Sequence, residues 1–226
     1  MNDRSSYPSV HAHRVIFIDL ARALAVVLMI AGHTSSALLA DNYRAGRWFD
    51  VWMFQRGLTS ALFLLLAGFA FSIATTRHWS QHLRLSGTVV KRLRRFALFV
   101  ILGYGLHFPV LRFSELAATT QAQWQSFVAV DVLQLIGVTL IALQLLVLVA
   151  RTRRVFMVAA FAAAVALIAA SPATWQTNWT MLMPLPLAAY FSPATGSLFP
   201  LFPWAAYVFV GAGAGLLYAR WGAAHL

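Results

Sequence analysis

Three ionisable residues share one face of the first apolar segment of the chain. In the stretch IDLARALAVVLMIAGH, residues 18–33, Arg22 and His33 lie at the two ends of ten residues that are all apolar or glycine, and Asp19 precedes Arg22 by three positions. At about 100° per residue, these three side chains fall within a helical stripe about 60° wide. Because an ionisable residue in a spanning helix is costly, its presence there indicates a function.

The three residues are suited to different tasks. Asp19 and Arg22 can form an i, i+3 ion pair, which would keep the arginine charged in a low-dielectric setting. His33 lies about 16 Å further along the helix axis, so that Arg22 can bind an anion while His33 acts as a base at another level. The alternatives are an ion pair that only fixes helix packing and a histidine with a structural hydrogen bond.

Further polar residues are predicted at the level of His33, where the other apolar segments begin or end. A base, a carboxylate that orients it, and amide or guanidinium donors are the groups that acyl transfer to a hydroxyl or an amine requires. The same groups would also suit a proton or ion path. A metal site is not expected, because cysteine is absent and no helix is predicted to carry two histidines at i, i+3 or i, i+4. The residues are Asp50, Arg56, His107, Arg112, Asp131 and Gln134.

The composition is that of a polytopic membrane protein. Of the 226 residues, 61% are hydrophobic and 10% are charged, and the mean hydropathy is +0.73, which leaves too little polar surface for a soluble globule. The net charge of +11 arises from cations that lie between apolar runs and form no single basic face, so nucleic-acid binding is not expected. The absence of cysteine excludes disulfides and thiolate chemistry.

Six apolar runs are long enough to cross a membrane, which requires about 20 residues in a helix. They predict an all-α transmembrane bundle, residues 15–219, between tails at residues 1–14 and 220–226. Most Lys and Arg residues precede the first run or lie between runs two and three, between runs four and five, and after run six, so both tails are predicted to be cytoplasmic. The runs are 15–39, 53–76, 96–113, 127–150, 155–171 and 199–219.

Two connections between the runs have a distinct composition. Residues 77–95 are rich in Lys and Arg and are predicted to lie as a cytoplasmic amphipathic stretch against anionic lipid headgroups. Residues 171–199 carry no charge but several prolines and aromatic rings, which predicts a partly embedded loop at the outer interface.

Four segments of the sequence resemble a known family in the same order. RVIFIDLARALAVVLMIAGH, QRGLTSALFLLLAGFAFSIA, VDVLQLIGVTLIAL and GSLFPLFPWAAYVFVGAGAGLL are similar to bacterial members of the heparan-alpha-glucosaminide N-acetyltransferase-like group of membrane acyltransferases. The wider superfamily includes the acyltransferase-three proteins, whose arginine, ten residues, histidine spacing is matched by Arg22 and His33. The resemblance covers residues 14 to 219.

The resemblance implies transfer of an acyl group, usually acetyl from cytosolic acetyl-CoA, to a hydroxyl or amine of a sugar, glycan or lipid-linked sugar on the outer face of the inner (plasma) membrane. His33 would be the catalytic base or a transient acyl carrier, with Asp131 as a second catalytic residue. The donor-binding and substrate-binding residues would be Arg22, Asp19, Gln134, Arg56 and His107. Membrane lipids would surround the protein, and a homo-oligomer is possible.

Two other functions fit the same residues. A transporter of sugars or acyl groups would also carry charges along a bundle, although no inverted repeat is evident in the sequence. A non-catalytic membrane subunit would fit the small number of helices, since members of the family typically carry more spanning helices than the six predicted here. A short natural form, an N-terminal portion of a longer protein, and a protomer that completes its site by association all remain open.

Overall fold

The computed structural model describes residues 16–110 and 112–222, and within these ranges the chain is helical without any strand. The all-α prediction is confirmed. The predicted tail at residues 1–14 and the end of the chain from residue 223 lie outside the described ranges, and α8 continues through residues 220–222 of the second predicted tail. The α-helices are α1 (Ile16–Leu38), α2 (Arg47–Arg77), α3 (Gly87–Leu106), α4 (Gln121–Val128), α5 (Val132–Ala150), α6 (Arg153–Gln176), α7 (Leu185–Ala188) and α8 (Leu201–Gly222).

Five of the described helices are long and apolar enough to span a membrane, and α3, which contains part of the third predicted run, is not among them. They are α1, α2, α5, α6 and α8, and the protein is a multi-pass membrane protein. The orientation of this bundle in the membrane stays a prediction. The rings of Phe17 and Tyr218 lie 5.5 Å apart, which places the start of α1 beside the end of α8.

The third predicted run, 96–113, differs from the observed helix α3. The helix begins at Gly87, where the Ser86 side chain caps it by accepting from the Val89 backbone N–H, and it ends at Leu106, seven residues before the predicted end at 113. The four cations between Lys91 and Arg95 lie within its first half, and only the half from Phe96 onward is apolar. The second half of the amphipathic stretch predicted at residues 77–95 is the beginning of α3, with exposed cations on one side and Val89 buried on the other, and its position against lipid headgroups stays a prediction.

The centre of the bundle is formed by α5 and by the contact between α2 and α8. Leu135, Leu143 and Val147 of α5 are fully buried. Helices α2 and α8 lie so close together that a Cβ atom on Gly68 would collide with the backbone carbonyl of Val208. Small residues at such crossings allow the close helix packing that is typical of membrane proteins.

The loop between α6 and α8 folds back onto the bundle, as expected for a partly embedded connection. Helix α6 continues to Gln176, past the predicted end at 171, with Pro172 inside it. The Ser171 hydroxyl donates to the carbonyl of Leu167 at 2.7 Å. The loop then forms short helical turns, and Ala189, Ser192 and Ser197 within it are buried. This loop contacts the start of α5, where the candidate site lies.

Candidate functional site

One cavity brings together three of the residues that the sequence predicts to act chemically. We name it the His33 cavity. It has a volume of about 180 Å³ and lies between α1, α2, the start of α5 and the loop before α8. His33, Arg56 and Asp131 all line it. The other lining residues are Leu28, Met29, Gly32, Thr59, Ser60, Phe63, Val132, Leu198 and Phe199.

Asp131 occupies the N-cap position of α5, and this role fixes its carboxylate. Its Oδ1 accepts from the backbone N–H of Val132 at 2.7 Å, and the backbone N–H of Asp131 donates to the side-chain Oε1 of Gln134 at 3.3 Å. This reciprocal arrangement is a capping box, which satisfies N–H groups at the start of a helix. The carboxylate is therefore held at the edge of the His33 cavity by the helix that it caps.

The loop before α8 positions the residue that precedes Asp131. The backbone N–H of Val130 donates to the Ser197 hydroxyl at 2.9 Å, and the Val130 carbonyl accepts from the Phe199 N–H at 3.0 Å. Phe199 and its neighbour Leu198 also line the His33 cavity. The predicted outer loop thus forms one wall of the site and anchors the start of α5.

His107 lies next to Asp131, at the C-cap of α3. Its Nε2 is 3.6 Å from Oδ2 of Asp131, and its Nδ1 is 3.0 Å from the carbonyl oxygen of Gly103. Because a carbonyl only accepts, Nδ1 carries the hydrogen of that bond, and a doubly protonated ring would also donate to Asp131. The two oxygens of Asp131 therefore face different partners, one the helix start and the other His107.

Gln134 does not line the His33 cavity, although it is predicted to share a face with Asp131. Its side chain is fully buried and packs against Gly103, where an added Cβ would lie 2.5 Å from the Gln134 side-chain carbon Cδ. Its Nε2 has no hydrogen-bond partner among the residues that the structure describes. Its observed contacts are with the cap of α5 and with α3, and its predicted role in donor binding stays a prediction.

Arg56 reaches the cavity across a glycine. Gly32, next to His33, is buried, and a Cβ at this position would lie 3.3 Å from Nε of Arg56. The absence of a side chain at Gly32 lets the arginine lie against α1. The guanidinium is thereby placed on the same cavity as the His33 imidazole.

A second cavity holds Arg22, and we name it the Arg22 cavity. Its volume is about 400 Å³, and it lies between α1, α2, α3 and α5. Most of its walls are apolar, but a second arginine, Arg92 of α3, lines it together with Arg22. The other lining residues are Phe63, Ala67, Ala70, Phe71, Ala74, Phe96, Phe99, Leu133, Ile136 and Leu140.

Arg92 is held by neutral groups. Its guanidinium donates to the Thr75 hydroxyl at 2.8 Å, to the Phe71 carbonyl at 3.1 Å and to Oε1 of Gln144 at 3.5 Å. It also lies 4.1 Å from the centroid of the Phe71 ring, within range of a cation–π interaction. Since arginine has no acceptor, Nδ1 of His82 at 3.4 Å accepts from it, which fixes His82 as the neutral tautomer with its hydrogen on Nε2.

Sequence reasoning assigned no chemistry to Arg92. Its position among four cations suggested a surface segment, whereas the structure places it on the inner face of α3. The signal that could have found it is helical spacing, because Arg92 is four residues before the buried Phe96 and three after the buried Val89. His82 was missed for the same reason, and it is buried beside Arg92.

The burial of His82 changes its acid–base behaviour. Desolvation lowers the pKa of His82 below its usual value of 6.5, and the positive charge of Arg92 lowers it further. A hydrogen bond with Gln144 acts in the opposite direction with a smaller effect. The neutral ring is therefore favoured in the folded protein, in agreement with its role as an acceptor from Arg92.

Phe63 of α2 lines both cavities, so that the His33 cavity and the Arg22 cavity are adjacent. Of the residues predicted to share one face of α1, His33 lines one of these adjacent cavities and Arg22 lines the other. Asp19 is half-buried in the first turn of α1, and its pairing with Arg22 stays a prediction. Among the described residues, no group of three or more His, Asp or Glu side chains is arranged to hold a metal ion.

The comparison with protein families agrees with the resemblance seen in the sequence. A family model described as "Heparan-alpha-glucosaminide N-acetyltransferase, catalytic" matches residues 14–225. Neither the comparison with curated proteins nor the comparison with solved structures gave a match. The matched range covers both cavities and all five spanning helices. The chain therefore belongs to the heparan-alpha-glucosaminide N-acetyltransferase catalytic family of membrane acetyltransferases.

Proposed function

We propose that this protein transfers an acetyl group from acetyl-CoA to a hydroxyl or amine of a sugar on the extracytoplasmic side of the membrane, with His33 as the catalytic residue. The observation that carries the proposal is the His33 cavity, where an imidazole, a guanidinium and a carboxylate from three different helices meet. Acyl transfer needs a base for the acceptor and a donor for the oxygen that becomes negative. His33 and Arg56 supply these two groups.

In the proposed reaction, a ring nitrogen of His33 takes the proton of the acceptor hydroxyl or amine. The acceptor oxygen or nitrogen forms a bond to the carbonyl carbon of the thioester, and the carbon–sulfur bond breaks. The sulfur leaves as the thiol of CoA after it takes the proton from His33. Arg56 stabilises the negative oxygen of the tetrahedral intermediate by charge-assisted hydrogen bonds.

The Arg22 cavity supports a separate site for the donor. Two arginines line it, and Arg92 is surrounded by neutral partners, so an anionic ligand would supply the missing counter-charge. We assign the phosphates of acetyl-CoA to this cavity and the thioester to the region of Phe63, which lines both cavities. This division would bring the acetyl group to His33 while the charged part of the donor stays with Arg22 and Arg92.

The distribution of charge supports an orientation in which the end of the bundle opposite to His33 faces the cytosol. Arg77, Arg153, Arg154 and Arg220 lie at the end of the bundle opposite to His33, and cytoplasmic ends of membrane proteins carry the excess of Lys and Arg. In this orientation the donor would enter from the cytosol, and the acceptor would meet His33 on the outer side.

The experiment is an acetyl-transfer assay with purified protein in liposomes, with acetyl-CoA as donor and glucosamine and methyl glucoside as acceptors. Because the chain contains no cysteine, a thiol reagent reports only the CoA that is released. We expect acetylated sugar and CoA in equal amounts, and a loss of about 100-fold or more in His33→Ala. His78→Ala is the matched control, since His78 is exposed and lines neither cavity.

Two results would overturn the proposal. The first is an unchanged rate of transfer in His33→Ala. The second is entry of labelled substrate into the liposomes without any acetylated product, which is what a transporter would give.

A further inference from the structure

A third cavity lies at the end of the bundle opposite to His33, and its most prominent residues are arginines. We name it the arginine cavity. It has a volume of about 320 Å³ and lies between the end of α2, the start of α6 and the end of α8. It shares no lining residue with the two cavities described above. The lining residues are Thr76, Arg153, Arg154, Met157, Leu216, Ala219 and Arg220.

The charges of this cavity are all positive. Arg153 and Arg154 come from the first turn of α6 and Arg220 from the last turn of α8, and no acidic side chain lines the cavity. Three guanidinium groups around one space repel one another, and an anion between them would remove this repulsion. The positive end of the α6 helix dipole adds to the same preference.

Arg153 is fixed in place by neutral contacts. Its guanidinium donates to the carbonyl of Thr76 at 3.2 Å and lies 5.9 Å from the centroid of the Trp79 ring. A guanidinium has five N–H donors, and this contact uses one of them. The Arg153 side chain therefore has a fixed orientation in the cavity before any ligand binds.

The surroundings of the cavity favour a lipid over a soluble anion. Met157 and Leu216 form an apolar part of the lining. Next in sequence to the lining residues Arg154, Met157 and Arg220, the side chains of Val155, Val158 and Trp221 are 53%, 64% and 67% exposed. On a spanning bundle, exposed aliphatic residues face acyl chains and tryptophan prefers the level of the headgroups. A ligand that joins a phosphate to acyl chains would contact both the arginines and the exposed apolar residues.

We propose that the arginine cavity binds the phosphate headgroup of an anionic phospholipid whose acyl chains lie along α6. Basic pockets between spanning helices on the cytoplasmic side suit such headgroups. The site is independent of acetyl transfer, because none of its residues belongs to the His33 cavity or the Arg22 cavity. The bound lipid would link α2, α6 and α8 at this end of the bundle.

The test is native mass spectrometry of the purified full chain with added phosphatidylglycerol, and with phosphatidylcholine of the same acyl chains. Glycerol 3-phosphate and inorganic phosphate are the soluble probes. We expect phosphatidylglycerol to bind at least about tenfold more tightly than phosphatidylcholine, and the double variant Arg154→Gln with Arg220→Gln to lose about tenfold in affinity. The double variant Arg44→Gln with Arg47→Gln removes two exposed cations at the other end of the bundle and should bind as the unmodified protein does.

Equal binding of the two phospholipids by the unmodified protein would overturn the proposal without any variant. Full retention of phosphatidylglycerol by the Arg154 and Arg220 double variant would also overturn it. Binding of glycerol 3-phosphate as tight as that of phosphatidylglycerol would identify a soluble phosphate site and would contradict the assignment to a lipid.

Discussion

His33 and Asp131 line the same cavity, although α1 and α5 are separated in the chain by three other helices. The carboxylate is fixed by the helix that it caps and by a contact with His107, and the imidazole comes from α1. The site is thus assembled from helix ends and not from one motif. Changes in the residues that hold these ends in place should therefore alter the reaction as well as the fold.

Two substitutions at Asp131 should separate its capping role from its charge. Asparagine is as good an N-cap as aspartate, so Asp131→Asn should leave the thermal stability nearly unchanged, whereas Asp131→Ala should lower the free energy of unfolding by about 0.5–2 kcal/mol. We expect both variants to lose acetyl transfer, because both remove the negative charge beside His107. Thermal unfolding in detergent and the rate of CoA release measure the two effects. If Asp131→Asn transfers acetyl at the normal rate, Asp131 serves only as a cap.

A methyl group at Gly32 should disturb the reaction more than the fold. The added Cβ would lie 3.3 Å from Nε of Arg56, and a small displacement of this guanidinium should reduce transfer by about threefold to tenfold. Gly57→Ala is the matched control, because no atom lies within 4 Å of a Cβ at Gly57. The measurement is the rate of transfer at saturating acetyl-CoA for both variants. Equal rates for the two variants would argue against a role of Arg56.

Loss of Arg92 should weaken binding of the donor. If Arg92 compensates the phosphates of acetyl-CoA, Arg92→Gln should raise the Kd for acetyl-CoA by about tenfold or more, since a hydrogen bond to a charged group contributes about 1.5–3 kcal/mol. Arg94→Gln removes a neighbouring exposed cation and serves as the control. Equilibrium binding of labelled acetyl-CoA gives both values. A normal Kd in Arg92→Gln would restrict Arg92 to packing between α3 and the rest of the bundle.

The stability of the protein should fall in mild acid because of His82. The pKa of His82 is lowered in the folded state, so the unfolded chain takes up this proton first as the pH decreases. The stabilisation is fully present above about pH 6.5 and is lost as the pH falls below it. Between pH 8 and pH 5, the unfolding temperature should depend less steeply on pH in His82→Asn than in the unmodified protein. Identical slopes would contradict this account.

The first helix and its polar face could be predicted from the sequence because both depend on local spacing. The predicted run at 15–39 agrees with α1 to within one residue, and Arg22 and His33 face adjoining cavities. The resemblance to the acetyltransferase family is confirmed over nearly the same range, residues 14–225.

The helix α3 and its half-buried arginine could not be predicted by the same reasoning. Average hydropathy marks the cations between Lys91 and Arg95 as a surface segment, since it does not register which side of a helix a residue occupies. Arg92 is stabilised by Thr75, Gln144 and the Phe71 ring, which are distant in the chain. Likewise, the capping box turns the Gln134 side chain back to the start of α5, and packing against Gly103 keeps it away from the His33 cavity.

The division of tasks between Arg22 and His33 is the central claim, and one paired measurement tests it most directly. Binding of labelled acetyl-CoA and transfer of its acetyl group are measured on the same preparations of Arg22→Gln and His33→Gln. We predict that Arg22→Gln raises the Kd for acetyl-CoA by about tenfold or more, while His33→Gln binds the donor normally and loses transfer by about 100-fold or more. Normal transfer by His33→Gln, or normal donor binding by Arg22→Gln, would contradict the account.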